Sequence, residues 1–278
     1  MPSETASRMR IKPALDLPPA FRLIALREVG DAFAHAIKVA PEEGAGTLVY
    51  VGRFDLAEFA VVLEPDEPLT TARRALYAGM AALADALAVH APPEKPIAFD
   101  WPDAVRVDGG LVGGGRLAWP QGAAEDAPPD WLVFGAMIRT VAMGDGDPGL
   151  RPLSAALEDE GFDDLGSGRL VESFARHLMV AVDSWQEKGF GEVARSYLER
   201  LGSTAPTAVP GTPGNAVGTG GVAAANARER KSGVRRDIDS NGDLLIRRMG
   251  KTQVERRSLA SALAVPSWFD PATGGPKS

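Results

Sequence analysis

Residues 99–119 read F-D-W-P-D-A-V-R-V-D-G-G-L-V-G-G-G-R-L-A-W, and this stretch limits the folds open to the chain more than any other. Val105 and Val107 alternate with polar residues, Asp108-Gly109-Gly110 follows, and Val112 opens a second apolar run. Asp-Gly between two alternating runs predicts a hairpin, because glycine tolerates the positive φ of a tight turn. Gly113-Gly114-Gly115 then leaves three consecutive strand positions without side chains. A bare backbone of this kind lets another backbone or a flat ligand come close. Trp101-Pro102-Asp103 makes a corner just before the hairpin.

The flanking sequence predicts strands at 21–26, 47–51 and 58–63, with a short helix over 31–39. Leu76, Met80, Leu83 and Leu87 recur at helical spacing, giving a helix over 71–90 with Thr70 or Thr71 at its cap. The apolar run 131–143 reads as a strand buried on both faces. Phe174, Leu178, Val182 and Trp185 form the inner stripe of a helix over 170–187, stopped by Gly189, and a second helix follows over 190–201. Residues 202–227 are rich in Thr, Pro, Gly and Ala without periodicity and read as a flexible linker. Beyond it lie a β-hairpin (243–248 and 252–256) and a tail bearing Pro266-Ser267-Trp268-Phe269. The expected fold class is α+β: a mixed sheet flanked by helices, with a small C-terminal β module. The expected organisation is an N-terminal arm (1–20), a main domain (21–201), a linker (202–227), and a basic β module with its tail (228–278).

The hairpin with its Trp-Pro corner resembles the biotin/lipoate protein ligase family, whose hallmark is Lys-Trp-Pro-Asn-Asp, a turn, and a second strand carrying Lys and then Ala/Ser-Gly. Two further stretches are similar to that family. Residues 185–190 with 197–201 look like its late helix pair, and Asp237 to Ile246 looks like the first hairpin of its SH3-like C-terminal module. The resemblance spans most of 21–257. It implies a ligase that activates biotin or lipoate with ATP and Mg2+ to an acyl-adenylate, then transfers the acyl group to a lysine of a biotinyl or lipoyl carrier domain. Some members also carry an N-terminal DNA-binding unit, and the stretch before residue 21 is too short for a helix-turn-helix.

This chain departs from the family pattern at four places. The lysine on the second strand falls at Leu111, which carries no charge. Arg116 or Lys95, with Arg139 as a third, is then the candidate replacement cation, Arg116 and Lys95 being otherwise ordinary surface charges; Arg keeps the charge with a different shape and reach. The Gly/Arg-rich phosphate loop is reduced to Gly52-Arg53, either a remnant that touches a phosphate or a plain turn. The acidic-Ser-Thr-Asn corner is Glu28-Val29-Gly30-Asp31, without hydroxyls. On the buried strand Gly-Ile-Asn becomes Met137-Ile138-Arg139, and Arg139 at a strand end either binds an anion or pairs internally. The resemblance also assigns Trp101, Asp103, Gly114, Gly115 and Gly135 to the substrate and adenylate floor. On that assignment Gly114→Val is expected to abolish binding of a small acid and leave the fold intact. Two readings therefore stand, an active ligase and a non-catalytic relative that binds a carrier domain or a small acid.

Composition narrows the chemistry further. The chain has 278 residues and no cysteine, so disulfides, thiolate metal sites and cysteine nucleophiles are excluded. His35, His90 and His177 are too far apart for a zinc signature. Asp237, Asp239, Asn241 and Gly242 begin like a calcium loop, but the twelfth position holds Arg248 instead of Glu. No apolar run reaches the ~18 residues of a membrane span, and Met1–Thr5 shows no signal-peptide pattern, so a soluble cytoplasmic protein is expected. The net charge of −7 argues against nucleic acid as a partner. Charge is uneven, however. Residues 228–257 hold ten Lys/Arg against five Asp/Glu, either a solvated surface or a docking face for an acidic carrier domain.

Overall fold

The computed structural model describes residues 15–143, 154–163, 165–202 and 233–277. Seven strands form one mixed sheet: β1 (Arg22–Leu26), β2 (Thr47–Gly52), β3 (Leu56–Leu63), β4 (Ile97–Asp100), β5 (Ala104–Val107), β6 (Gly110–Ala118) and β7 (Leu132–Arg139). Their order is β1-β2-β3-β7-β6-β5-β4. β1 lies parallel to β2, joined through helix α1 (Ala32–Glu43), and the other neighbours are antiparallel. Asp31 caps α1 by accepting a 2.9 Å bond from the Ala34 amide, which satisfies one of the helix's unpaired first-turn donors.

Alternation along the strands separates two faces. Phe59, Val61, Val105, Phe134, Ala136 and Ile138 point toward helices α3 (Ala75–Ala88) and α4 (Ser167–Lys188), forming the main core. Val49, Val51, Ala60, Val62 and Val133 point the other way, under α1. β7 carries apolar residues on both faces, which is why its sequence shows no alternation. Leu76, Met80, Leu83 and Leu87 of α3 are fully buried, as their spacing predicts. Helix formation before them begins differently from the expectation. A separate turn, α2 (Leu69–Ala72), starts at Pro68 without a side-chain cap, and the Thr71 hydroxyl instead donates back to the Pro68 carbonyl at 3.0 Å. α4 ends where Gly189 takes φ 82° and returns its amide to the Trp185 carbonyl, and α5 (Phe190–Arg200) follows.

The β5–β6 hairpin turns at Asp108 (φ 47°) and Gly109 (φ 89°), as the Asp-Gly pair predicts. The C-terminal part holds a three-stranded antiparallel sheet of β8 (Val234–Ile238), β9 (Leu244–Arg248) and β10 (Val254–Arg257). The turn at Ser240–Gly242 joins β8 to β9 where the resemblance expects the first hairpin (Asp237 to Ile246), and β10 pairs with the other edge of β9 as the 243–256 hairpin expects. Helix α6 (Leu259–Ala262) and a two-residue pairing of β11 (Phe269–Asp270) with β12 (Gly275–Pro276) complete the chain. This module is tied to the main body by the Tyr77 hydroxyl, which donates to the Gly242 carbonyl at 2.6 Å and accepts the Trp101 indole N–H at 2.9 Å.

The expected linker 202–227 lies outside the described residues, apart from Gly202, and so do residues 1–14 of the expected arm. Residues 15–20 are packed in place. Leu15 and Leu17 rest on the main core, and Asp16 pairs with Arg176 at 2.6 Å.

Candidate functional site

The sheet face beside α1 gathers the unusual residues. Gly114 pairs with Met137 and Arg116 with Gly135, while Glu58 lies opposite Met137 and Leu56 opposite Arg139. Directly paired strand residues share a face, so Leu56, Glu58, Gly114, Arg116, Gly135, Met137 and Arg139 all look out on one side. Leu111 and Ala104 join them in an apolar cluster with Leu56 and Met137.

That cluster is closed by the chain's own tail. Trp268 is fully buried and packs among Leu56, Ala104, Leu111 and Met137. Its indole nitrogen donates to the Gly115 carbonyl at 2.8 Å. A Cβ on Gly114 would stand 2.3 Å from the indole Cδ1 and 2.1 Å from the Asp103 carbonyl. The bare backbone predicted to admit a flat ligand thus admits a flat side chain of the same chain.

Polar contacts pin the tail around the indole. The Asp103 carboxylate accepts the Ser267 amide at 3.0 Å and its hydroxyl at 2.5 Å. Asp103 is 1% exposed, and burial pushes its pKa up to about 6, against the opposing pull of the Ser267 hydrogen bonds and the Lys277 charge. Arg139 donates to the carbonyls of Pro276 (2.8 Å) and Lys277 (3.3 Å), and to that of Ala155 at 3.3 Å. The Lys277 amide closes back on the Trp268 carbonyl at 2.8 Å.

Next to the indole, Arg116 is sandwiched between rings, 4.1 Å from the centroid of Phe33 and 5.3 Å from that of Phe269. Asp31 approaches it at 3.4 Å. Its Nε is buried without a hydrogen bond, and burial lowers its pKa against the charges of Asp31 and Glu58. Glu58 is buried too, its pKa raised by burial, and it accepts the Ala32 amide at 2.8 Å at the start of α1. An open depression of 430 Å³ lies alongside, lined by Leu26, Arg27, Val29, Gly30, Asp31, Ala34, His35 and Lys38.

Of the residues singled out from sequence, Asp103, Leu111, Gly114, Arg116, Gly135 and Arg139 meet on this face, with Gly135 making room for Phe33. The others lie elsewhere. A Cβ on Gly115 would meet Met80 and Phe134 in the main core, so this residue contributes only its carbonyl here. Trp101 packs against the main core. Lys95 is held by Asp108 at 2.9 Å and Glu160 at 2.7 Å. Arg53, beside Gly52 in the β2–β3 turn, forks onto Asp55 with bonds of 3.1 and 2.7 Å. The covering of this face by the tail was not legible in the sequence; its only signal was the Trp268-Phe269 pair in an otherwise polar, glycine-containing stretch. Among the described residues no group of three or more His, Asp or Glu is placed to hold a metal, and Asp239 and Asp243 of the calcium-like segment instead accept backbone amides and pair with Arg256.

A mixed sheet flanked by helices on both faces, with small C-terminal antiparallel sheets, matches the architecture of biotin protein ligases. The model of the biotin/lipoate A/B protein ligase family matches residues 17–199, and the chain belongs to that family. Among solved structures it is similar to a biotin protein ligase-like protein of unknown function from Silicibacter sp. TM1040, with 25% identity, a TM-score of 0.70, and coverage of 91% of this chain and 100% of that one. It also shares its fold with biotin protein ligase from Aquifex aeolicus. A mutant of that enzyme with biotin gives TM-score 0.58 at 14% identity (86% and 96% covered). The enzyme with biotin and ATP gives 0.54 at 13% identity (85% and 99% covered). No curated protein matches the chain. No helix among the described residues is long and apolar enough to cross a membrane.

Proposed function

We propose that this family member keeps the ligase framework to recognise a biotin- or lipoate-type acid, or the carrier domain bearing it, and does not form an acyl-adenylate. The observation that carries this reading is the environment of Leu111. Where the family resemblance calls for a cation, an apolar side chain sits in one buried cluster with Met137 and Trp268. An acyl-adenylate needs positive charge at the carboxylate and α-phosphate, and donors around the phosphates. Here Arg139 is engaged by the tail, and Arg53 by Asp55. The residues present do not fit Mg-ATP with the tail in place, so no step is routed through it. The family match over residues 17–199 supports taking 21–201 as the recognition unit.

A second reading has one specific observation in its favour. Arg116 lies on the same face as Gly114, with a buried Nε that makes no hydrogen bond, and such a guanidinium is able to serve as the displaced cation in an active ligase. Calorimetric titration with biotin, lipoate and octanoate, each with and without Mg-ATP, separates the two when run beside an assay of pyrophosphate release. Binding without pyrophosphate is expected. Pyrophosphate that depends on one acid and is lost in Arg116→Gln would overturn the non-adenylating reading and establish the other.

A further inference from the structure

We propose that the C-terminal segment Ser267–Lys277 is a strap that closes the glycine-floored face and lifts to admit its ligand. The inference rests on the reading of that face as the recognition face.

Three observations carry it. First, the strap occupies the place itself: Trp268 fills the space over Gly114 and bonds the Gly115 carbonyl. A ligand on this floor and the indole exclude each other. Second, the strap is an addition to the fold. Its strands β11 and β12 pair with each other and add no strand to the seven-stranded sheet. Among the described residues its polar attachments to the sheet include the Asp103–Ser267 pair of bonds, the indole bond to Gly115, and the Arg139 bonds to two carbonyls. Lifting it leaves the ladders of β1–β7 intact.

Third, the closed state carries costs that opening relieves. Asp103 is desolvated beneath Ser267, with Lys277 as the nearby charge that favours its ionised form. Arg116 is covered in part by Phe269, with a buried Nε that lacks an acceptor. Buried charged groups with incomplete partners favour any state that returns them to water. Set against the apolar cluster that favours closure, these costs narrow the gap between the closed and open states, which is what a switchable element requires. Opening exposes an arginine, an aspartate and a glycine floor together.

The absence of cysteine from the chain allows a clean test. A single reporter, Leu111→Cys, places a thiol in the buried cluster that Trp268 completes in the full-length protein. Its reaction with a maleimide is timed alone, with Trp268→Ala, and with the milder Trp268→Phe, beside the global unfolding rate of each protein. The strap predicts labelling faster than unfolding in the reporter alone, and at least tenfold faster again with Trp268→Ala. Labelling that never outruns global unfolding in any of the three would overturn the proposal and make the tail a fixed part of the core. Titrations with biotin, lipoate and octanoate accompany the labelling. At least tenfold tighter binding of one acid to Trp268→Ala than to the full-length protein is expected, and equal affinity for the two would overturn the strap. If the Trp268→Ala thiol reacts fast and none of the three acids binds, the strap stands and the acid-binding reading of the face falls.

Discussion

The Asp103 carboxylate and Ser267, 164 residues apart, share two hydrogen bonds beneath the C-terminal tail. The corner that opens the glycine hairpin therefore also receives the segment that covers it. The sequence resemblance reads Asp103 as a substitute for an asparagine of a ligand corner, and the structure gives both of its oxygens to the tail.

This pairing makes stability depend on pH in a defined direction. Burial raises the folded-state pKa of Asp103 from 3.8 to about 6, so the folded chain holds its proton more tightly than the unfolded chain does. The contribution of this group is greatest below pH 4 and is lost as pH rises to about 6. Asp103→Asn removes the titration. The difference in unfolding free energy between wild type and Asp103→Asn is expected to change by about 2–3 kcal/mol between pH 4 and 7, with wild type losing ground as pH rises. Urea denaturation of both proteins across that range checks it; a flat difference excludes the assignment.

Gly114 tests the floor, and the structure revises what its replacement does. A Cβ there meets a backbone carbonyl at 2.1 Å as well as the indole, so the expectation of an intact fold with an obstructed pocket does not hold. Gly114→Ala is expected to destabilise by about 1–3 kcal/mol, because a carbonyl cannot swing aside as a side chain does. Gly109, whose Cβ would meet nothing within 4 Å but whose φ is 89°, supplies the comparison. Its Ala variant costs only backbone strain, about 1 kcal/mol. Denaturation midpoints that rank Gly109→Ala as the more damaging would contradict this account.

Installing the family's cation offers a third test. Leu111→Lys places an ammonium within an apolar cluster, and desolvation lowers its folded-state pKa below the usual 10.4. The penalty is absent above that value and grows as pH falls toward 7. The variant is expected to lose about 2 kcal/mol or more at pH 7 and appreciably less at pH 10, relative to wild type at each pH. Thermal unfolding at the two pH values reads it directly.

Tyr77 joins the main body to the C-terminal module through one hydroxyl. Tyr77→Phe leaves the Gly242 carbonyl and the Trp101 N–H without their shared partner, and is expected to cost about 1–3 kcal/mol. Combined with Trp101→Phe, the losses should fall short of additive by about 0.5 kcal/mol or more. Full additivity would mean that the two bonds are independent.

Much of the architecture was legible in the chain. The 3.6-residue spacing of α3 and α4, the Asp-Gly turn and the unbroken apolar run of β7 each report a local rule, and each element formed where its rule put it. The start of α2–α3 escaped because the Leu69 and Thr70 amides donate to the Ala127 and Glu125 carbonyls of a distant loop, which take the role expected of a threonine cap. The floor glycines were half legible. Spacing identifies a bare strand, but which glycine faces the ligand side depends on strand register, and this sends Gly114 toward the tail and Gly115 into the main core. Trp268 was beyond reach, because no local pattern tells a residue 153 positions away from Gly115 that it will bond its carbonyl.

Leu111 and Trp268, members of one buried apolar cluster, also shape the paths open to this sequence under mutation. A lysine at 111 alone puts an ammonium into that cluster, and loss of the indole alone removes the cluster's largest side chain. Each single step from this face toward a charged one is therefore costly, and only the two together lead out. Two mutually dependent substitutions of this kind hold a lineage where it stands more firmly than either would alone.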